Sequence, residues 1–448
     1  MATKIKTNMG AVRAHGRLDK NDKARGKSLR KVATGMKINS AEDDASSWGI
    51  SERMRVRIRA LEQANQNAQN DSSLMKTAEG AVDNTIDILR TLKAKAIDAA
   101  NDSNTNEDRQ TIQKEVNQLV DQIDDNALVT FNGKYMLNSA SGSGSVWTTT
   151  RNTWSRTVLL NQSFATDNAV GNRLTVLKNR VGDSLGIQVG DLYQVSWVVN
   201  GEVSVHTGSV TNTLRLTDLL LAEGAANAYF DKGNVGADGR LAGCYDNYSQ
   251  PLYSPDKQPG IYLVSNNSGI EAAISGYNVA ITDAQGNLRK SANEVFNDFK
   301  LLNVAENNKG KDRPIFNFQL GSEANQAIRF GFRDMRAEAL GLKGNTGNVV
   351  SVTTKDNANV AISVFDNALT VALDLQTNIG AVLTRLEYTS SNLNISRDND
   401  QASESVIRDA DMAREMTEYT KNNVLLQAAQ AMLAQANQNS SAILSLLQ

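Results

Sequence analysis

The side chains with the most chemical reach are few. Across 448 residues there are two histidines, His15 and His206, and one cysteine, Cys244. Zinc and similar metals want several imidazole or thiolate ligands converging on one point. That supply rules out a disulfide within the chain and leaves a histidine-based metal centre without ligands. Asp43 and Asp44 are adjacent carboxylates, a pair that elsewhere serves acid–base catalysis or metal binding. Here they precede a helical pattern with no other convergent groups, and helix capping is the reading they favour. Serine and aspartate abound, but no Gly-x-Ser-x-Gly nucleophile elbow stands out. No catalytic, cofactor-binding or metal-binding residue is assigned, and no cofactor is expected.

The chain is instead organised around its last stretch, Arg408 to Gln448. It has no Gly and no Pro and is rich in Ala, Leu, Met and Gln, so helix propensity is high throughout. Leu425, Leu426, Ala428, Ala429, Met432, Leu433 and Ala436 form a wide apolar face at helical spacing, and Ile443, Leu444, Leu446 and Leu447 carry it to the end. One helix cannot bury such a face alone. It needs a partner helix, from this chain or from other copies. Residues 1–27 hold many basic and few apolar positions; alone they would be disordered. They read as a flexible tail or as a segment that folds only against other helices. On that basis the 425–436 side is expected to be wet in a single chain.

Composition sets further bounds. The length suits about two to four domains. Hydrophobic residues make up 40% of the chain and no continuous apolar run approaches the roughly 18 residues of a membrane span. A net charge of -2 gives no electrostatic case for nucleic acid. The opening MATKIKTNMGAVRAHG lacks the apolar core of a cleaved signal peptide. No nucleic-acid or membrane partner is expected.

Taken in order, Leu29, Val32, Ala33 and Met36 sit at helical spacing before a turn near Gly35 to Ser40. A long regular helix pattern starts at Ala45, with stripes through Met54, Ile58 and Leu61 and through Met75, Val82, Ile86 and Leu89. A polar break at Asn101–Glu107 precedes a third helix. SASGSGS (139–145) is a linker. Beyond it the pattern alternates and is β-branched, with Asn-Gly turns, which marks a mostly β domain with short helices near Thr217–Leu221 and Ala292–Phe299. IFNFQLG and AIRFGF make a hairpin, helix resumes near Val360, and Arg397–Asn399 reads as a break. The organisation is therefore 1–44, an inner segment; 45–138, a helical shell; 139–313, a mostly β outer domain; 314–400, hairpin and helical shell; and 401–448, a terminal helix. The fold class is α+β, with a long helical coiled-coil core from both termini, a β-hairpin and an inserted mostly-β domain.

KVATGMKINSAEDDASSWGISERMRVRIRALEQANQNAQNDSSLMKTAEGAVDNTIDILR closely resembles bacterial flagellin. So do IGAVLTRLEYTSSNL and RDADMAREMTEYTKNNVLLQAAQAMLAQANQ, and TFNGKYML and DMRAEALGL look like flagellin segments. The resemblance covers 1–138 and roughly 314–448. It implies a structural subunit of the flagellar filament, a homo-oligomeric helical tube used for swimming, located outside the cell and exported without a cleaved signal peptide. It implies polymerisation residues at Leu29, Val32, Met36, Leu425, Leu426, Ala429, Met432, Leu433, Leu444 and Leu447. It also implies partners in the flagellar export apparatus, an export chaperone, a filament cap and hook-junction proteins. Terminal segments disordered before assembly belong to the same expectation.

The sequence departs from the family pattern in two places. Its first 27 residues carry more charge and fewer apolar positions than the usual flagellin start. In many flagellins one helix is read by an innate immune receptor through a Gln-Arg-Ile-Arg-Glu-Leu pattern; here the aligned residues are Arg90, Thr91, Leu92, Lys93, Ala94 and Lys95. Glu115 on the next helix does match, so weak receptor binding is expected. Some flagellins carry a protease in the variable domain, but its His-Glu-x-x-His zinc site is absent. A hook–filament junction protein is the alternative structural reading. An adhesive outer domain is another, with Trp147, Trp154 and Trp197 as sugar platforms, although core packing suits them better. The Ser- and Thr-rich 139–157 stretch offers a surface for O-linked sugars or a plain solvated loop.

Overall fold

The computed structural model describes residues 8–138, 156–165, 168–236, 238–245, 250–304 and 315–445, with the side chains of 256 and 440–445 left aside. The linker, Trp147, Trp154, the Ser- and Thr-rich stretch up to 155 and Leu447 lie outside the described residues, as does the Leu444 side chain.

Five helices carry the terminal parts: α1 (Met9–Thr34), α2 (Ala45–Ala99), α3 (Asn106–Ala127) and, after the middle region, two more described below. Each boundary has a local cause. Asn8 caps α1, accepting from the Ala11 amide at 3.0 Å. Gly35 ends it in the left-handed region at φ 70, donating its N–H to the Lys31 carbonyl at 2.9 Å. Thr105 and Asp108 form a capping box at the start of α3. A short hairpin follows, β1 (Thr130–Phe131) with β2 (Lys134–Tyr135).

The middle region contains β3 (Val158–Asn161), β4 (Leu192–Val199), β5 (Glu202–Ser209), α4 (Leu216–Leu220), β6 (Phe230–Asn234), β7 (Arg240–Tyr245), β8 (Pro251–Tyr253), β9 (Ile261–Ser265), β10 (Ile274–Thr282), α5 (Lys290–Phe296) and β11 (Lys300–Asn303). They form a three-stranded sheet ordered β10-β4-β5, a four-stranded sheet ordered β11-β3-β9-β6, and the ribbon β7-β8. All described pairings within these sheets are antiparallel. Tyr193, Trp197, Phe230, Leu263, Tyr277 and Phe296 share one buried core between them. Asn200-Gly201 turns β4 into β5. Gly201 has φ 77, and a Cβ there would lie 2.5 Å from the Asn348 carbonyl oxygen, so only glycine fits that turn against the 344–348 loop.

The two edges of the three-stranded sheet differ. On β10, Asn293 of α5 and Asn297, the residue that caps its end one turn later, stand in for a further strand. Their side chains accept from the amides of Ile281 (2.7 Å) and Val279 (2.8 Å) and donate to the carbonyls of the same residues at 3.2 and 3.0 Å. That satisfies the backbone groups a free edge would expose.

The chain returns through the hairpin β12 (Ile315–Gln319) and β13 (Ala327–Gly331), then α6 (Lys355–Arg408) and α7 (Met412–Ser445). Helix α6 does not break at 397–399. It runs to Arg408, and the interruption falls at 409–411. Arg397–Asn399 is polar but lacks Gly or Pro, so nothing in it stops a helix held by packing. One window of α6 is apolar enough by length and composition to cross a membrane, although no continuous apolar run exists; half of it is buried inside the protein. Ala358, Val360, Val364, Phe365 and Ala368 are among the buried residues there, as in a core helix.

The chain divides into two compact units. The first is Met1–Gln69, Gln319–Ala327 and Glu387–Gln448; the second is Asn70–Phe318 and Ile328–Leu386. In the first unit α2 and α6 run antiparallel, tied by Ser51 to Glu404 at 2.9 Å and Asn65 to Asn394 at 3.1 Å. In the second the same pair is tied by Gln376 to Asp83 at 3.2 Å and Lys93 to Asp366 at 2.5 Å.

Candidate assembly surface

Within the first unit α1 lies along α7. The Asn8 side chain donates to the Ala436 carbonyl at 3.0 Å, Asn21 to the Leu425 carbonyl at 3.1 Å, Asn422 to the Ser28 hydroxyl at 3.1 Å, and Lys31 pairs with Glu415 at 3.3 Å. Partner numbers fall as α1 numbers rise, so the helices are antiparallel. Residues 9–27 are therefore helical in the presence of a partner. The contacts to α7 carry this, since the composition of α1 would not.

This pairing corrects the expectation that the 425–436 side is wet. Leu426 is 5% exposed and Ala429 is also buried, and they are the two buried residues of the described part of α7. Leu433 is half-buried, one turn further along the same side. Leu425 (42% exposed) and Met432 (66%) point away, on the flank of the seam. The broad apolar face thus splits: its centre meets α1 and its flank stays open. On α1, Val32 is half-buried and Leu29 is 49% exposed; Met36, half-buried, bridges to Asp409 across the loop end.

That loop end is held by Arg408. Its guanidinium sits 4.5 Å from the centre of the Trp48 ring and donates to Glu52 at 2.8 Å and Ser51 at 3.3 Å, while its carbonyl accepts from the Lys37 amide at 2.7 Å. The hydrogen bond from Arg408 holds the Glu52 carboxyl below its usual range. Asp44 caps α2 through the amides of Ser46 and Ser47, and its bonds to Ser47 pull its pKa down. The capping reading of that carboxylate stands; Asp43 accepts from the Asn39 amide inside the loop.

Large apolar side chains remain open elsewhere on this unit: Val56, Ile395, Val406, Val424 and Met416, with Val406 at 83% the most exposed of them.

The receptor-face residues lie in the second unit. Arg90 pairs with Asp87 at 2.8 Å, Lys93 with Asp366, and Lys95 with Glu115 at 2.8 Å; Thr91 and Ala94 are exposed. Glu115, the residue that fits the family pattern, is thus already engaged by Lys95.

Three chemical candidates resolve without a site. One pentapeptide does have the nucleophile-elbow spacing, Gly182-Asp183-Ser184-Leu185-Gly186, contrary to the sequence reading. It lies in a loop where Ser184 is bridged to Lys178; no strand-to-helix turn presents the hydroxyl. Trp197 is buried against Phe230 with ring centroids 6.1 Å apart, so it is core. Cys244 is buried, and burial pushes its thiol up to about 11. Among the described residues no group of three or more His, Cys, Asp or Glu could hold a metal ion.

A seam joining the first and last helices, with open apolar flanks and a sheet-rich insertion between them in sequence, defines a self-associating structural protein. The model of the bacterial flagellin N-terminal helical region matches residues 5–141, and that of the C-terminal helical region matches 362–447. A flagellin of Clostridium tyrobutyricum is 30% identical, covering 97% of this chain and 99% of that one. Flagellin B of Vibrio anguillarum is 29% identical over the full length of both. The chain belongs to the bacterial flagellin family. Among solved structures, the flagellar hook associated protein-3 of Legionella pneumophila is similar at 17% identity, over 79% of this chain and 97% of that one, with a TM-score of 0.33.

Proposed function

We infer that this chain is the structural subunit of a bacterial flagellar filament, an extracellular helical polymer used for swimming, and that it polymerises through the flanks of the α1–α7 seam. The observation that carries the second part is the split of the α7 face. Leu426 and Ala429 are covered within the chain, while Leu425, Val424 and Met432 stay open over about two turns of helix. Copies packed side by side would bury that flank, and each fully buried Leu, Val or Met contributes about 1.5–3 kcal/mol. The polymerisation set is then Leu29, Leu425 and Met432 as open contacts, with Val32, Met36, Leu426, Ala429 and Leu433 holding the seam that presents them. The 139–313 region is displayed away from the tube axis.

Export unfolded through the flagellar apparatus without a cleaved signal peptide, and partners in an export chaperone, a filament cap and hook-junction proteins, are supported by family membership. Weak binding to the innate immune receptor is supported by Thr91 and Ala94 and by the Lys95–Glu115 pair. The test of the central reading is a chain cut before Asn423. It should keep the sheet-rich unit folded and form no filaments in seeded sedimentation. Filaments of normal length from the truncated chain would refute it.

A further inference from the structure

Helix α1 carries eight Lys or Arg and two Asp, a net charge of +6. Arg13, Arg17, Lys20, Lys23 and Arg30 are exposed, and among the described residues none has a carboxylate within ion-pair distance. At 100° per residue they spread over an arc of about 140°, with Lys20, Lys23 and Arg30 turned from the seam residues Asn21 and Ser28 and Arg17 bordering it. The partner helix cannot neutralise them. Beyond Glu418, α7 holds no acid at all, so the stretch opposite Arg13 to Lys23 is uncharged apart from Lys421.

The same unit bears the opposite charge at its loop end. The bridge between Met36 and Asp409, and the bond from the Ala410 amide to the Gly35 carbonyl at 2.9 Å, bring 35–44 beside 409–411. Glu42, Asp43, Asp44, Asp409 and Asp411 gather there, with Lys37 the one cation inside 35–44 and 409–411 and Arg408 committed to Glu52. Only Glu42 meets a cation of α1, Lys27 at 3.6 Å. Elsewhere on the unit Asp398 is matched to Arg397 and the half-buried Asp400 to Arg57. From Arg17 to the end of α1 is roughly 26 Å at 1.5 Å per residue, beyond any side chain's reach. The cations from Arg13 to Lys23, the nearest of them roughly 17 Å from the end of α1, cannot meet the acidic loop end within one chain, whereas Lys27 already does.

We propose that the basic side of α1 docks on the acidic loop end of a second copy of this chain. The contact joins two different patches, so it is head-to-tail and repeats without closing, which is the symmetry of a filament. It rests on the filament reading and adds a charge code for the axial register. The apolar flanks supply contact area in no fixed register; opposed charges penalise slipped arrangements.

The test uses the full chain in seeded polymerisation. Critical concentration should rise about tenfold between low and high sodium chloride, because exposed pairs are screened. R17E/K20E and, separately, E42K/D409K should each raise it about tenfold at low salt, with monomer melting unchanged. All four substitutions in one chain should bring it back towards the parent value. Reversed chains that polymerise like the parent, or a combined chain no better than either half, would overturn the proposal. So would R17E/K20E filaments of normal yield whose monomer alone has lost binding to anionic phospholipid vesicles, which would make a membrane the partner. Failure of the unaltered chain to polymerise would sink the filament reading, and this docking with it.

Discussion

Asn21 donates its side-chain amide to the main-chain carbonyl of Leu425, 404 positions later in the chain, at 3.1 Å. With Asn8 on the Ala436 carbonyl, it pins α1 to α7 at two places, 13 residues apart on one helix and 11 on the other. An amide bound to a helical carbonyl fixes register, which apolar contacts alone leave free to slide. The seam beneath Asn21 is where Leu426 is buried.

Leu426 and Met432 should therefore behave oppositely. Leu426→Asp puts a charge into the closed seam, a cost of several kcal/mol, and should lower helicity and melting temperature of the monomer. Met432→Asp lies on the open flank and should leave monomer melting within about 0.5 kcal/mol of the parent. Its effect should appear as a critical concentration raised tenfold or more. Circular dichroism and sedimentation of seeded filaments read the two arms. Equal monomer stability for both variants would mean the seam does not form before assembly.

Asp71, on α2, has one carboxylate oxygen without a hydrogen-bond partner, and burial pushes its pKa up to about 6 from 3.8. A raised acid is one whose ionised form the fold disfavours. The folded chain keeps a proton that the unfolded chain has lost, so stability falls as pH rises from about 3.8 to about 6, and the penalty is complete above that. Asp71→Asn should stabilise the chain by about 1–2 kcal/mol near neutral pH after allowance for solvent screening. The gain should shrink towards pH 4. Urea unfolding at the two pH values decides it, and an equal gain at both would rule out charge burial as the cause.

Asn293→Ala with Asn297→Ala strips the β10 edge of its substitute strand. Four hydrogen bonds are lost, although the Ile281 carbonyl keeps the Arg289 amide at 2.9 Å, and each lost bond costs about 0.5–1.5 kcal/mol where solvent cannot replace it. The expected outcome is faster amide exchange at Val279 and Ile281 and a rise in concentration-dependent aggregation. Unchanged exchange at those amides would show that water caps the edge as well as asparagine does.

Thr91→Arg with Ala94→Glu restores the charges that the receptor-read pattern carries in related flagellins. Reporter-cell activation by the monomer should rise, because a charged contact at an interface centre is worth about 2–5 kcal/mol. A further Lys95→Ala change should add to the gain by freeing Glu115. Activation by the unaltered chain equal to that of a standard flagellin would contradict the weak binding.

Much of this protein was legible without coordinates. The helix from Ala45, the cap at Gly35, the Asn-Gly hairpins and the α+β order depend on local periodicity and turn chemistry, which nearest neighbours decide. With two histidines 191 positions apart, the sequence has no His-Glu-x-x-His motif. What sequence could not settle was anything that depends on a partner far along the chain. Residues 9–27 read as too polar to fold, yet they are helical because Leu426 and Ala429 lie 400 positions away, and helix formation without such contacts does not repay its nucleation cost. Residues 397–399 read as a break, yet α6 continues through them because α2 runs alongside. The broad apolar face of α7 was one feature in sequence; only packing divides it into a closed seam at Leu426 and an open flank at Met432. The acidic loop end is likewise tertiary, since Asp409 meets Met36 through a fold and not through spacing.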